Sequence, residues 1–160
     1  MKKLIIYYSL DGSTKFIAER IAEKKTADLL ELKLKTHNLS GKNKFSKFFW
    51  GGRQVLIKQK PELDEFDKDP MDYDAVFIGT PVWVGTYSPA LRAFFNKVKL
   101  KGKKVFLFCS YGGIESKTFV EMKKQLEENE IIDQFSIKEP IKNQSESLVI
   151  IDAWLDSIKI

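Results

Sequence analysis

The sequence predicts an α/β fold, a doubly wound five-stranded parallel sheet in the order 2-1-3-4-5 with helices on both faces. Three observations predict it. Residues 4–8, 75–78 and 105–109 are short, continuously apolar runs rich in aromatic or β-branched side chains, as in strands buried on both faces. Residues 30–35 and 134–138 instead alternate apolar with polar, as strands nearer a sheet edge do. Helical stretches separate the strands, and that succession builds a parallel sheet.

The elements follow in order. After the first strand, residues 14–25 place Ile17, Ala18, Ile21 and Ala22 on one helical face and Lys15, Glu19 and Glu23 on another. In the second strand Leu30, Leu32 and Leu34 interleave with Glu31, Lys33 and Lys35. Residues 37–72 must hold a second crossover; Phe45, Phe48, Phe49, Val55, Leu56 and Ile57 are split there by Gly51-Gly52, and no helix is assigned. The strand at 75–78 leads to a helix over 89–98 with Leu91, Phe94 and Phe95 inward. The strand at 105–109 leads to a helix over 116–128 carrying Phe119, Val120, Met122 and Leu126. In the fifth strand Phe135 and Ile137 alternate with polar residues, and a helix over 145–160 carries Leu148, Ile151, Trp154, Leu155 and Ile158.

Composition narrows the function classes. At 160 residues, 43% hydrophobic and 12% aromatic, the chain reads as a single domain over 1–160, and bulk disorder and low complexity are excluded. One Cys excludes an internal disulfide, and one His excludes a multi-His metal site, so no metal is expected. The apolar run at 4–8 is shorter than a signal-peptide core. The longest uncharged stretch, 75–91, is punctuated by Gly79, Pro81, Gly85 and Pro89, unlike a membrane helix. A cytoplasmic protein without a membrane partner is expected. The net charge of +5 is local. Residues 32–61 hold Lys33, Lys35, Lys42, Lys44, Lys47, Arg53, Lys58 and Lys60 with no acidic residue, and Glu62 to Asp74 is an acidic run. Such opposed blocks read as a solvated polar connection or as a patch that docks an acidic partner.

In this topology ligands bind beyond the carboxyl ends of the strands, where the winding reverses between strands 1 and 3. Three loops meet there. Ser9-Leu10-Asp11-Gly12-Ser13-Thr14-Lys15 offers hydroxyls, a glycine able to take positive φ, and N–H groups opening a helix. Those parts cradle a phosphate, or else form a capped turn. Residues 79–87 include Pro81, Val82, Trp83, Val84 and Gly85, setting aromatics beside glycine as a flat, stacking ligand requires. Ser110, Tyr111, Gly112 and Gly113 repeat that pairing after strand 4, and Cys109 reads as core. Together the three loops point to a ligand with a phosphate and an aromatic ring.

At these residues the chain resembles the flavodoxin family. Ser9, Gly12 and Thr14 match its first loop, Gly79, Pro81 and Trp83 its second, and Tyr111-Gly112-Gly113 its third. The resemblance implies FMN as cofactor. Ser9, Leu10, Asp11, Gly12, Ser13, Thr14 and Lys15 would hold the phosphate, and Pro81 to Gly85 and Ser110 to Gly113 the isoalloxazine, with Trp83 and Tyr111 as stacking candidates. Two residues depart from the family pattern. Asp11 stands where a hydroxyl is usual, tolerable if it turns away to cap the helix, and Val82 replaces a common Thr. The pI of about 9.1 is also unlike the family's acidic character.

Rival readings fail on residues. A phosphate-accepting receiver domain needs an acidic pair after strand 1, where Tyr7, Tyr8 and Ser9 stand; a small phosphatase needs Cys, five residues, then Arg, and Cys109 leads to Glu115. GxGxxG and GxxxxGK[ST] are absent. The aromatic pattern is too apolar for a nucleic-acid stacking platform, so no nucleic acid is expected. Lys15, Asp11 and Tyr111 are the titratable loop residues, each with a binding or capping role, so no catalytic residue is assigned. An electron carrier serving a reductase and an acceptor protein is expected first. An FMN-dependent NAD(P)H reductase of quinones or similar acceptors is the alternative.

Overall fold

The computed structural model describes residues 1–35 and 61–160. The basic block and the crossover expected over 37–72 therefore lie largely outside the described residues. The sheet has five parallel strands in the order β2-β1-β3-β4-β5, as predicted. The strands are β1 (Lys3–Tyr7), β2 (Asp28–Glu31), β3 (Ala75–Pro81), β4 (Lys104–Tyr111) and β5 (Glu130–Lys138). The helices are α1 (Ser13–Lys25), α2 (Pro89–Lys97), α3 (Thr118–Lys123) and α4 (Gln144–Ser157).

The continuous apolar runs are continuous because both of their faces are covered. Leu4, Ile6, Val76, Ile78, Val105 and Leu107 point into one core with Leu91, Phe94 and Phe119. Ile5, Phe77, Phe106 and Phe108 point into the other with Ile17 and Ile21 of α1 and Trp154 and Leu155 of α4. Helix starts follow local chemistry: Pro89 opens α2 behind Ser88, whose Oγ accepts the Leu91 N–H at 3.3 Å. Asn143 likewise caps α4, accepting from the Glu146 N–H at 3.4 Å. Arg20 of α1 grips Asp152 of α4 with two donors, Nε to Oδ1 at 2.7 Å and Nη2 to Oδ2.

The edges differ from expectation. β2 starts at Asp28, not Leu30; the Leu32 N–H still donates to the Tyr7 carbonyl at 2.7 Å, and Leu34 bridges antiparallel to Leu63. β5 starts four residues earlier than its alternation suggested. A register shift opposite Val105/Phe106 inserts Ile132, so Ile131 faces one core while Phe135 and Ile137 face the other. That bulge breaks the period of two. α3 is shorter than 116–128, because tight turns carry the chain on and still bury Leu126.

Candidate functional site

β3 and β4 run past their apolar cores, so Gly79, Thr80, Pro81, Ser110 and Tyr111, read from sequence as loop, are strand residues with Pro81 paired to Ser110. Gly79 has a packing reason: a Cβ there would sit 2.0 Å from Cζ of Phe108. Thr80 Oγ1 accepts the Ser88 N–H at 2.9 Å and donates to the Pro81 carbonyl at 2.9 Å, tying the strand end to the start of α2.

The three predicted loops do converge. The Tyr8 N–H donates to the Gly79 carbonyl at 3.2 Å, and the Val82 N–H to the Ser110 carbonyl at 2.9 Å. Thr14 Oγ1 and Ser110 Oγ lie 2.9 Å apart and buried, joining the first loop to the third across 96 residues. The second loop also meets the start of α3, where the Lys117 N–H donates to the Gly85 carbonyl at 3.3 Å.

In the first loop Gly12 takes φ +96°, the left-handed region that glycine favours, and nothing lies within 4 Å of a Cβ placed on it. Asp11 is exposed, and its Oδ1 accepts the Ser13 N–H at 2.8 Å, so it does turn onto the helix start. Ser9 Oγ accepts the Lys15 N–H at 3.1 Å, and the exposed Lys15 side chain pairs with Glu19 at 3.9 Å. Among the described residues no acceptor takes the N–H groups of Leu10, Asp11, Gly12 or Thr14. Four free donors opening a helix fit an anion.

In the second loop Trp83 and Thr86 exchange N–H···O bonds of 2.7 and 3.0 Å around Val84 and Gly85, both at positive φ. This is the pattern of a tight I′ hairpin turn. Trp83 and Tyr111 are half-buried, and Val84, Gly112 and Gly113 are exposed. Four non-glycine residues among those described take positive φ. Thr26 closes α1; Val84, Ser116 and Glu139 follow β3, β4 and β5. Strain gathered at one rim marks functional crevices. Sequence reasoning missed it because Val, Ser and Glu carry no mark of a left-handed backbone. It also missed Glu139, whose N–H donates to the Tyr111 carbonyl at 2.9 Å.

Burial sets the electrostatics of the two titratable groups beneath the loops. Burial, with Glu31 and Glu19 adding to it, pushes the Tyr7 phenol up to about 12. Burial also raises the Cys109 thiol, Glu115 adding to it, so Cys109 is a protonated core residue, as predicted. Among the described residues no cluster of His, Cys, Asp or Glu could hold a metal, and no helix is long and apolar enough to cross a membrane.

A doubly wound sheet with three loops meeting at its switch point defines a class of α/β protein whose ligands bind at the carboxyl ends of the strands. A family model described as Flavodoxin matches residues 2–158, and the chain belongs to the flavodoxin family. A flavoprotein from Lactobacillus acidophilus, solved in complex with FMN, shares 24% identity at TM-score 0.67, over 90% of this chain and 97% of that one. A candidate flavoprotein from Bacteroides uniformis shares 20% identity at TM-score 0.76, over 98% of each chain. The FMN-dependent NADH:quinone oxidoreductase 1 of Idiomarina loihiensis is 29% identical over 39% of this chain, and the match spans 42% of that protein's length.

Proposed function

We propose that the chain binds FMN in this crevice and works as a cytoplasmic one-electron carrier between a reductase and an acceptor protein. One observation carries the reading. The first loop offers four N–H groups with no acceptor among the described residues, beside a left-handed Gly12, and it is pinned by Thr14 to β4 and hence to the two aromatic loops. A phosphate dianion suits those donors, and a flat ring suits Trp83 and Tyr111. Family membership and the FMN complex of the Lactobacillus acidophilus flavoprotein support the same cofactor.

FMN, once bound, supplies the redox chemistry. This chain's own residues do the rest. Ser9 to Lys15 hold the phosphate, Pro81 to Gly85 and Ser110 to Gly113 flank the ring, and the half-buried Trp83 and Tyr111 exclude water from it. Asp11 is committed to the Ser13 N–H and Lys15 to Glu19, which leaves both in binding and capping roles. That supports the carrier reading. A second reading, an FMN-dependent NAD(P)H reductase of quinones, has the Idiomarina loihiensis relative in its favour.

Purified protein loaded with FMN separates the two. A carrier consumes NADPH slowly alone and accepts electrons from a separate reductase. Steady turnover of NAD(P)H and quinone at roughly 1 per second or more would replace the carrier reading with the reductase.

A further inference from the structure

We infer that the Glu139 carboxylate opposes electron uptake by the bound flavin and that Lys142 moderates it; the inference rests on the FMN reading above. Glu139 follows β5 at φ +45°, a left-handed backbone that Gly or Asn adopts at less cost than Glu. Its main chain makes the turn by itself. The Glu139 N–H donates to the Tyr111 carbonyl at 2.9 Å, and the Glu139 carbonyl accepts the Lys142 N–H at 3.0 Å. Neither bond uses the side chain. A residue that fits its backbone poorly is thus held at the rim of the crevice, and what it adds there beyond a glycine is a carboxylate.

That carboxylate lies against the third loop. Glu139 Oε1 is 4.0 Å from the point where a Cβ on Gly112 would stand, so the bare glycine lets the charge approach the loop backbone. Lys142 Nζ sits 2.6 Å from the same oxygen. Its hydrogen bond holds the Glu139 carboxyl below the usual carboxylate range; desolvation opposes this, and the charges of Lys142 and Lys138 add to it. Glu139 is therefore ionised at neutral pH. Lys142 is the more exposed partner, 71% against 35%, so water screens its charge more and the pair does not cancel at the loop. At 0.1 M salt a charge is felt across about 10 Å, more than the thickness of a glycine backbone. A ring flanked by Ser110 to Gly113 lies within that reach. Full reduction brings two electrons and, from water, one or two protons to the ring, so its average negative charge rises. A carboxylate beside the ring disfavours that change, and the ammonium of Lys142 favours it. An ion pair with a structural role alone makes a different demand, because cutting it from either side would act alike.

The test compares wild type, the near-isosteric Glu139→Gln, and Lys142→Gln. Fluorescence titration gives Kd for oxidised FMN, and anaerobic dithionite titration against a reference dye gives the midpoint potential of bound FMN. Together they yield Kd for reduced FMN. Glu139→Gln should tighten reduced FMN relative to oxidised roughly threefold, the scale of one screened surface charge, and Lys142→Gln should move the ratio by a similar factor the other way. Both shifts should shrink as salt rises to about 1 M. A ratio unchanged from wild type in both variants, or shifted with the same sign in both, would make the pair structural and overturn the assignment while leaving the FMN reading intact. No saturable FMN signal from wild type overturns the FMN reading and this assignment with it. If Glu139→Gln does not fold, the sign of the shift in Lys142→Gln still decides.

Discussion

Val84 sits at φ +48° in an exposed turn, where a β-branched side chain crowds its own backbone at a cost of roughly 1–2 kcal/mol. The I′ turn it forms with Gly85 is the one that Asn-Gly fits best. Val84→Asn should therefore stabilise the apoprotein by about 1 kcal/mol, seen as a higher urea midpoint with unchanged slope. A lower midpoint would show that the valine makes a compensating contact. Gly12 is the converse case. Its added Cβ would meet nothing, so Gly12→Ala is penalised by backbone conformation alone, by about 1 kcal/mol or more. FMN affinity should fall roughly tenfold while riboflavin changes little, and equal losses would make the loop merely structural. Asp11→Thr keeps a side-chain acceptor for the Ser13 N–H and removes a negative charge. FMN should then bind unchanged or tighter by about a kcal/mol at most, the gain shrinking with salt.

Two contacts fix the elements around the crevice. Phe108 lies over Gly79, and that close approach sets how β3 and β4 present Pro81 and Ser110. Gly79→Ala should destabilise by about 1–3 kcal/mol or more through overpacking, and Phe108→Leu in the same chain should recover part of it. Thermal unfolding of the single and double variants checks this; independent, additive losses would contradict it. The second contact joins α1 to α4. The Arg20 guanidinium, hydrogen-bonded to Asp152, holds that carboxyl below the usual carboxylate range, with its charge and that of Lys24 adding to the effect. A carboxyl lowered in the folded state stabilises above its unfolded value of about 3.9 and loses that contribution as pH falls through its folded value. Asp152→Asn should thus lower Tm at pH 7, and the gap to wild type should close toward pH 2. A gap independent of pH would assign the contact to packing of the Arg20 stem instead.

Across the whole molecule, ligand binding and stability are linked, because loops from β1, β3 and β4 exist as one surface only in the folded chain. FMN should raise the unfolding free energy by mass action, by about 2.7 kcal/mol at a free concentration of 100 times Kd, and the urea midpoint with it. Riboflavin at the same concentration should raise it less, since it leaves the N–H groups of the first loop unfilled. An FMN-independent midpoint would contradict a native-state site. Charge is the other property of the whole. If the basic stretch from Leu32 to Pro61 docks an acidic redox partner, electron transfer from that partner should slow steeply between low and physiological salt.

The number of strands, their order and the meeting of three loops were legible in the amino acids, because burial on two faces leaves runs such as 75–78 with no polar residue. The sequence also carried the family's loop residues, from Ser9 and Gly12 to Tyr111-Gly112-Gly113. Tertiary structure alone decided where strands end and where side chains point. The bulge at Ile132 shifts the phase of β5, which no period of two can reveal. The glycine at 79 serves a ring 29 residues away, not a turn. Ser110 and Thr14 are ordinary hydroxyls in the sequence, and only the parallel pairing of β1, β3 and β4 under α1 sets them 2.9 Å apart. Local chemistry writes itself into neighbouring residues; contacts across 96 positions depend on register and packing, which the sequence encodes only through the fold as a whole.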